Sequence, residues 1–218
     1  MKSKLIVALD VDTFEEAARL IEVTRDVVEV FKVGSQLFTR VGPRILTLLR
    51  EQGRECFLDL KFHDIPNTVA KAVASAAALN VSMITLHVCG GAEMLRAAAA
   101  VPNRPKLLGV TVLTSVAGSV QAEVLRLAKL AKEYGLDGVI ASPHEIRSIR
   151  DAMGKEFLIV TPGIRPAHAK SADQKRVMTP TEAVAAGASY IVVGRPIIEA
   201  DDPAQAALQI ASEMTGTK

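Results

Sequence analysis

Eight short apolar runs, rich in Val, Ile and Leu, recur along the chain and alternate with longer stretches of helical periodicity. The runs are nearly continuous in apolar residues, with no polar residue at every second position. That is the pattern of strands buried on both faces of a parallel sheet. They cover Leu5–Asp10, Val28–Gly34, Glu55–Phe62, Met83–Cys89, Lys106–Leu113, Gly138–Ser142, Phe157–Gly163 and Tyr190–Gly194. Amphipathic stretches fall at Phe14–Arg25, Gln36–Gln52, Val69–Leu79, Gln121–Tyr134, Pro143–Met153 and Thr181–Ala186, and Pro203–Met214 closes the chain. Spread over 218 residues, each unit has about 27, enough for a strand, a helix and short loops. No Pro/Ser-rich linker or shift in composition divides the chain, so residues 1–218 read as one α/β domain.

A doubly wound open sheet and a closed (β/α)8 barrel both satisfy this alternation. Eight repeats favour the closed barrel, and no G-x-G-x-x-G opens the first helix, which counts against a dinucleotide-binding sheet. In a barrel, catalysis belongs at the carboxyl ends of the strands. Polar residues that interrupt the apolar runs should therefore gather there.

They do. Strand one ends in Asp10, strand two in Lys32-Val33-Gly34, and strand three in Asp59-x-Lys61-x-x-Asp64. Strand five carries Thr111 and Thr114, strand seven ends in Thr161-Pro162-Gly163-Ile164-Arg165, and strand eight in Gly194-Arg195-Pro196. Alternation along strand three points Asp59 and Lys61 the same way and Leu60 the other. Asp64 follows in a turn marked by Ile65-Pro66-Asn67. Charges gathered at the mouth of a core cost desolvation free energy unless they are paired or used. Lys32, Asp59, Lys61 and Asp64 form two positive and two negative charges, and an alternating arrangement would keep all four ionised. In such a field a carboxylate can crowd a substrate anion. An ammonium beside it can stabilise negative charge on carbon and supply a proton. A purely structural ion network is the competing reading.

The last two strand ends suit a phosphate. Gly163 and Gly194 let backbone amides approach, Arg165 and Arg195 offer planar donors, and barrel phosphate sites commonly use the loops after strands seven and eight. The connection Pro166–Met178, with His168, Lys170, Gln174, Lys175 and Arg176, reads either as a solvated loop or as a lid over that phosphate.

Composition narrows the function classes. A net charge of +2, from 26 Lys and Arg against 24 Asp and Glu, leaves no basic footprint for nucleic acid. No apolar run is long enough to span a bilayer, and Met1-Lys2-Ser3-Lys4 runs straight into a strand without a cleavage site. Cys56 and Cys89 lack metal-ligand spacing and read as buried thiols of a reducing, cytoplasmic compartment. His87 and Cys89 have no third ligand at suitable spacing, so no zinc site is expected. His63 reads as a hydrogen-bonding scaffold residue, and Ser142-Pro143-His144 as a helix start capped by Ser142.

Taken together, Val7-Ala8-Leu9-Asp10, Phe31-Lys32-Val33-Gly34, DLKFHDIPNT from Asp59 to Thr68, Val112-Leu113-Thr114-Ser115, TPGIR from Thr161 to Arg165, Asp173-Gln174 and Gly194-Arg195-Pro196-Ile197 resemble the orotidine 5′-monophosphate decarboxylase family. The resemblance runs over the whole chain and is closest to the short single-domain microbial members. It implies a (β/α)8 barrel that forms a homodimer and turns orotidine monophosphate into uridine monophosphate without metal or organic cofactor. Lys61 matches the proton donor to C6 of the pyrimidine and Asp59 the residue beside the departing carboxylate. Lys32 completes the network and contacts ribose, while Asp64 and Thr68 reach the site of a second copy. Asp10 matches a ribose- and base-binding aspartate, Thr114 a pyrimidine contact, Gln174, Gly194 and Arg195 the phosphate grip, and Arg165 a further substrate-binding arginine. Cys89 stands where many relatives carry a smaller residue, which leaves the catalytic roles untouched.

Two alternatives remain in view. A metal-dependent sugar-phosphate lyase or decarboxylase of the same superfamily shares Asp-x-Lys-x-x-Asp, but holds magnesium with an acidic residue where this chain has Lys32. An ammonium there repels a dication. A non-catalytic phosphate-binding barrel has no use for the charged tetrad.

Overall fold

Side chains along each strand alternate between two apolar layers, which is why the runs carry no polar face. The structure, a computed structural model, describes residues 3–112, 120–166 and 178–216. The strands are β1 (Lys4–Ala8), β2 (Val30–Gly34), β3 (Glu55–Phe62), β4 (Met83–His87), β5 (Lys106–Val110), β6 (Gly138–Ile140), β7 (Leu158–Thr161) and β8 (Tyr190–Val193). Each pairs in parallel with the next, and β8 returns to β1 through Leu5↔Ile191, Ile6↔Val192 and Val7↔Val193. That last pairing closes a (β/α)8 barrel and excludes the open sheet. Ile6, Ala8, Val30, Phe57, Met83, Leu108, Val160 and Val192 point inward and fill the barrel. Their neighbours Val7, Phe31, Leu58, Ile84, Leu107, Ile159 and Ile191 point outward against the helices.

The helices are α1 (Phe14–Thr24), α2 (Ser35–Val41), α3 (Arg44–Glu51), α4 (Pro66–Ala78), α5 (Gly91–Ala99), α6 (Gln121–Glu133), α7 (Ile146–Met153), α8 (Pro180–Ala186), α9 (Arg195–Ile198) and α10 (Pro203–Thr215). In α1 the buried residues Ala17, Leu20, Ile21 and Thr24 follow the i, i+3, i+4, i+7 stripe, and Thr13 Oγ1 accepts from the Glu16 N–H at 3.2 Å. Burying Leu20 and Ile21 stabilises by about 2 kcal/mol each against about 1 kcal/mol for the cap, so packing decides where the helix lies. None of the described helices is long and apolar enough to cross a membrane.

The structure departs from the sequence reading at element ends. Several strands stop short of the last residue assigned to them: Asp10, Cys89, Ser142, Gly163 and Gly194 all lie past their strands. There the chain turns out of the sheet, and Asp10, Gly163 and Gly194 line the mouth of the barrel. Cys89 sits in a 3-10 turn, Val88–Gly90, and is exposed, so only Cys56 is the expected buried thiol. Burial pushes the Cys56 thiol up to about 12, which keeps it protonated and inert. The stretch Gln36–Gln52 is two helices, because Gly42 takes φ 60 and Pro43 follows it. Helix α5 lies where no helix was read: its alanines, one buried and three half-buried, blur the periodicity.

Candidate active site

The mouth of the barrel holds a cavity of about 300 Å³. Its floor is apolar, made by Ala8, Phe57, Val110, Ile140, Val160 and Val192. Asp10, Lys32, Asp59 and Lys61 form one wall, and Gly163, Arg165, Gly194 and Arg195 stand in the wall supplied by the ends of β7 and β8.

The charged wall is a connected series. Lys32 Nζ donates to Asp10 Oδ1 at 2.8 Å and lies 3.9 Å from Asp59 Oδ2. Lys61 Nζ donates to both oxygens of Asp59, at 3.0 and 2.9 Å. The order is therefore Asp10–Lys32–Asp59–Lys61, with alternating sign and no net charge. The side chains of Lys32 and Asp59 are 13% and 14% exposed, against 47% for Asp10 and 39% for Lys61. The inner two are held in place by partners on either side, and the outer two reach the cavity and solvent. A Cβ on Gly34 would approach Lys32 Nζ to 3.1 Å and Asp10 Oδ1 to 3.4 Å, so a side chain there would crowd the Asp10–Lys32 pair.

Strand β3 does not deliver Asp59 and Lys61 by simple alternation. Leu58 pairs with Ile84 and Phe62 with Leu86, so four steps along β3 match two along β4. The chain bulges between them, and Lys61 takes φ 52, the left-handed region. Thr85 lies opposite the bulge and is fully buried. Its Oγ1 donates to Asp59 Oδ1 at 2.8 Å and accepts from the Lys61 backbone N–H at 2.9 Å. Sequence reasoning missed Thr85. Its only trace in the sequence is that, with His87, it interrupts the apolar run of β4.

The remaining expected residues divide. Arg165 is half-buried and Arg195 exposed, and both face the cavity with Gly163, whose φ of 80 favours glycine. Ile164 bridges Met178, and the Arg165 N–H donates to Met178 O at 3.1 Å, so the two ends of the intervening connection lie side by side. Thr114, Gln174 and the body of the expected lid fall outside the described residues. Asp64 and Thr68 are exposed, and among the described residues neither lines the cavity. Asp64 Oδ1 instead accepts from the Ile65 N–H at 2.6 Å. Within one chain, Asp10 takes the fourth place in the charge series that Asp64 was expected to hold.

Two histidines border the cluster. The rings of His63 and His87 lie 5.5 Å apart. Burial lowers the His87 pKa below its ordinary 6.5, helped by His63 and Lys61 and opposed by Asp59, so the ring is neutral at pH 7. Among the described residues no three His, Cys, Asp or Glu are grouped to hold a metal ion. Ser142 begins a 3-10 turn, as its place in the sequence suggested, and its backbone N–H donates to Glu145 Oε2 at 2.9 Å.

Comparison with known proteins places this geometry. The model of the orotidine 5′-phosphate decarboxylase / HUMPS family matches residues 3–210. A protein of Syntrophotalea carbinolica named orotidine 5′-phosphate decarboxylase is 50% identical, over 98% of this chain and 95% of its own. One of the same name from Pelobacter propionicus is 48% identical, over 98% of this chain and 95% of its own. Among solved structures, an orotidine 5′-phosphate decarboxylase from Lactobacillus acidophilus is 40% identical with a TM-score of 0.84, covering 97% of this chain and 99% of that one.

Proposed function

Because the chain belongs to the orotidine 5′-phosphate decarboxylase / HUMPS family, we propose that it decarboxylates orotidine 5′-monophosphate to uridine 5′-monophosphate. The observation that carries this reading is the series Asp10–Lys32–Asp59–Lys61 in a cavity that Arg165 and Arg195 also line. The substrate has a group for each, a carboxylated base and a phosphate.

The phosphate lies against Arg165, Gly194 and Arg195, with Gln174 as a further phosphate contact, and Asp10 and Lys32 take the ribose. Thr114 contacts the pyrimidine. This sets the carboxylate of the base beside Asp59, where like charges crowd. The bond from C6 to the carboxylate breaks, carbon dioxide leaves, and the electron pair stays on C6. Lys61 Nζ stabilises that pair and gives its proton to C6; solvent returns the proton to Lys61. Asp64 and Thr68 complete the site of a second copy in a homodimer, which accounts for their exposure beside Ile65, itself 65% exposed. The enzyme works as one barrel domain in the cytoplasm.

The metal-dependent lyase of the same superfamily is disfavoured by Lys32. Its ammonium stands between two carboxylates, at 2.8 and 3.9 Å, where a magnesium ion would need an open anionic site. The test is the loss of absorbance as orotidine monophosphate becomes uridine monophosphate, measured in EDTA. Turnover that persists in chelator is expected. Absence of turnover, or turnover lost with EDTA and restored by magnesium, would overturn the reading.

A further inference from the structure

The bulge in β3 creates a problem that Thr85 solves. A residue that steps off the ladder loses its cross-strand partner, and a backbone N–H buried without one is disfavoured. At Lys61 the N–H points at Thr85 Oγ1, 2.9 Å away. A hydroxyl has one proton and two lone pairs. With a lone pair engaged by Lys61, the Thr85 proton is directed to Asp59 Oδ1 at 2.8 Å. One oxygen atom thus ties the main chain of Lys61 to the carboxylate of Asp59.

The tie is rigid. Thr85 is β-branched, which restricts χ1, and it is fully buried on the inward face, opposite Leu108 and two residues after Met83. The Lys61 side chain is 39% exposed and its ammonium is bonded to both oxygens of Asp59, so without a further anchor the two would turn toward solvent as a pair. The Thr85 bond to Oδ1 opposes that rotation, leaving Oδ2 facing Lys32.

We infer that Thr85 is a positioning residue for the reaction, acting through Asp59 and the Lys61 backbone without touching substrate. The inference rests on the decarboxylase reading for its kinetics but not for its geometry. Misplacement of reacting groups by about an ångström can lower a rate by ~100-fold with binding little changed. Thr85→Val keeps the shape and removes the hydroxyl; Thr85→Ser keeps the hydroxyl.

The experiment measures kcat and KM on orotidine monophosphate, together with hydrogen exchange of the Lys61 amide, for the wild type and both variants. Thr85→Val should lower kcat by ~100-fold with KM within about threefold, and Thr85→Ser should stay within about fivefold of wild type. The Lys61 amide should be protected with Thr or Ser at position 85 and exchange at least ~10-fold faster with Val. If Thr85→Val does not fold, Thr85→Cys takes its place: the weaker thiol should give an intermediate kcat and faster exchange. A folded Val or Cys variant with unchanged kcat and unchanged Lys61 exchange would overturn the inference. A wild type inactive on orotidine monophosphate whose Lys61 amide still loses protection in Thr85→Val would refute the decarboxylase reading alone.

Discussion

Lys61 carries both the proposed chemistry and the strain of the site. A non-glycine residue at φ 52 costs about 1–2 kcal/mol, and here the strain aims the ammonium at Asp59. Function and stability can be separated at this one position. Lys61→Ala and Lys61→Gly both remove the proton donor, and each should lower turnover of orotidine monophosphate by at least ~1000-fold while the protein stays folded. They differ only in backbone. Glycine relieves the left-handed strain but gives the unfolded chain more freedom, worth about 0.4–1 kcal/mol in the other direction. The Gly variant should therefore be the more stable of the two by about 0.5–1 kcal/mol in urea unfolding. Near-normal turnover in either would remove Lys61 from its role, and an Ala variant at least as stable as Gly would mean that the strain is relaxed by its surroundings. The residues Asp10, Lys32, Asp59 and Lys61 were legible in the sequence because charges are conspicuous at the ends of apolar runs. Thr85 was not, because a threonine suits a strand by propensity and only the bulge opposite gives it a task.

At the scale of elements, Arg150 shows how the helical layer is tied to the barrel. It sits in α7 and donates to Gly187 O from Nε and Nη2, to Gly154 O and Phe157 O from Nη1, and to Ser189 Oγ from Nη2. These acceptors lie at the ends of α7 and α8 and at the entries to β7 and β8, the strands that lead to the two arginines of the cavity. Burial lowers its pKa, with Glu156 opposing, but the guanidinium remains charged at neutral pH. Arg150→Met keeps the apolar stem and leaves carbonyl groups short of donors, so it should destabilise by about 2–4 kcal/mol in urea unfolding. Arg150→Lys should recover little, since one ammonium cannot reach five bonds in a planar fork. A loss below about 0.5 kcal/mol in Arg150→Met would show that water replaces the guanidinium. The sequence marked Arg150 only as one charge on an amphipathic helix. Its partners are 4 to 39 residues away in the chain, at turns whose approach is set by the closed barrel. The same distinction covers α5 and the α2–α3 break, where local alanine content and a Gly-Pro pair blurred or interrupted a readable period.

For the whole molecule, the placement of Asp64 and Thr68 outside the cavity has a consequence. If each site takes Lys61 from one copy and Asp64 from the other, mixing inactive Lys61→Ala and Asp64→Ala chains should rebuild one intact site in each mixed dimer. Random reassociation would then restore about a quarter of wild-type sites, as a two-fold symmetric dimer requires. Activity no greater than the sum of the separate variants would place Asp64 outside a shared site.

The sequence by itself determined the eightfold strand-helix alternation, the burial of the strands on both faces and the end of the barrel at which polar residues collect. Those features are local in period and composition, and hydrophobic burial acts on them wherever the chain turns. Tertiary structure decided which charges meet. Asp10 and Lys32 are 22 residues apart and Thr85 follows Asp59 by 26, yet closure of the barrel and a two-residue slip of β3 against β4 bring them within hydrogen-bond reach. The slip depends on both strands at once, because a bulge in one is stable only where the other supplies a partner for the released N–H.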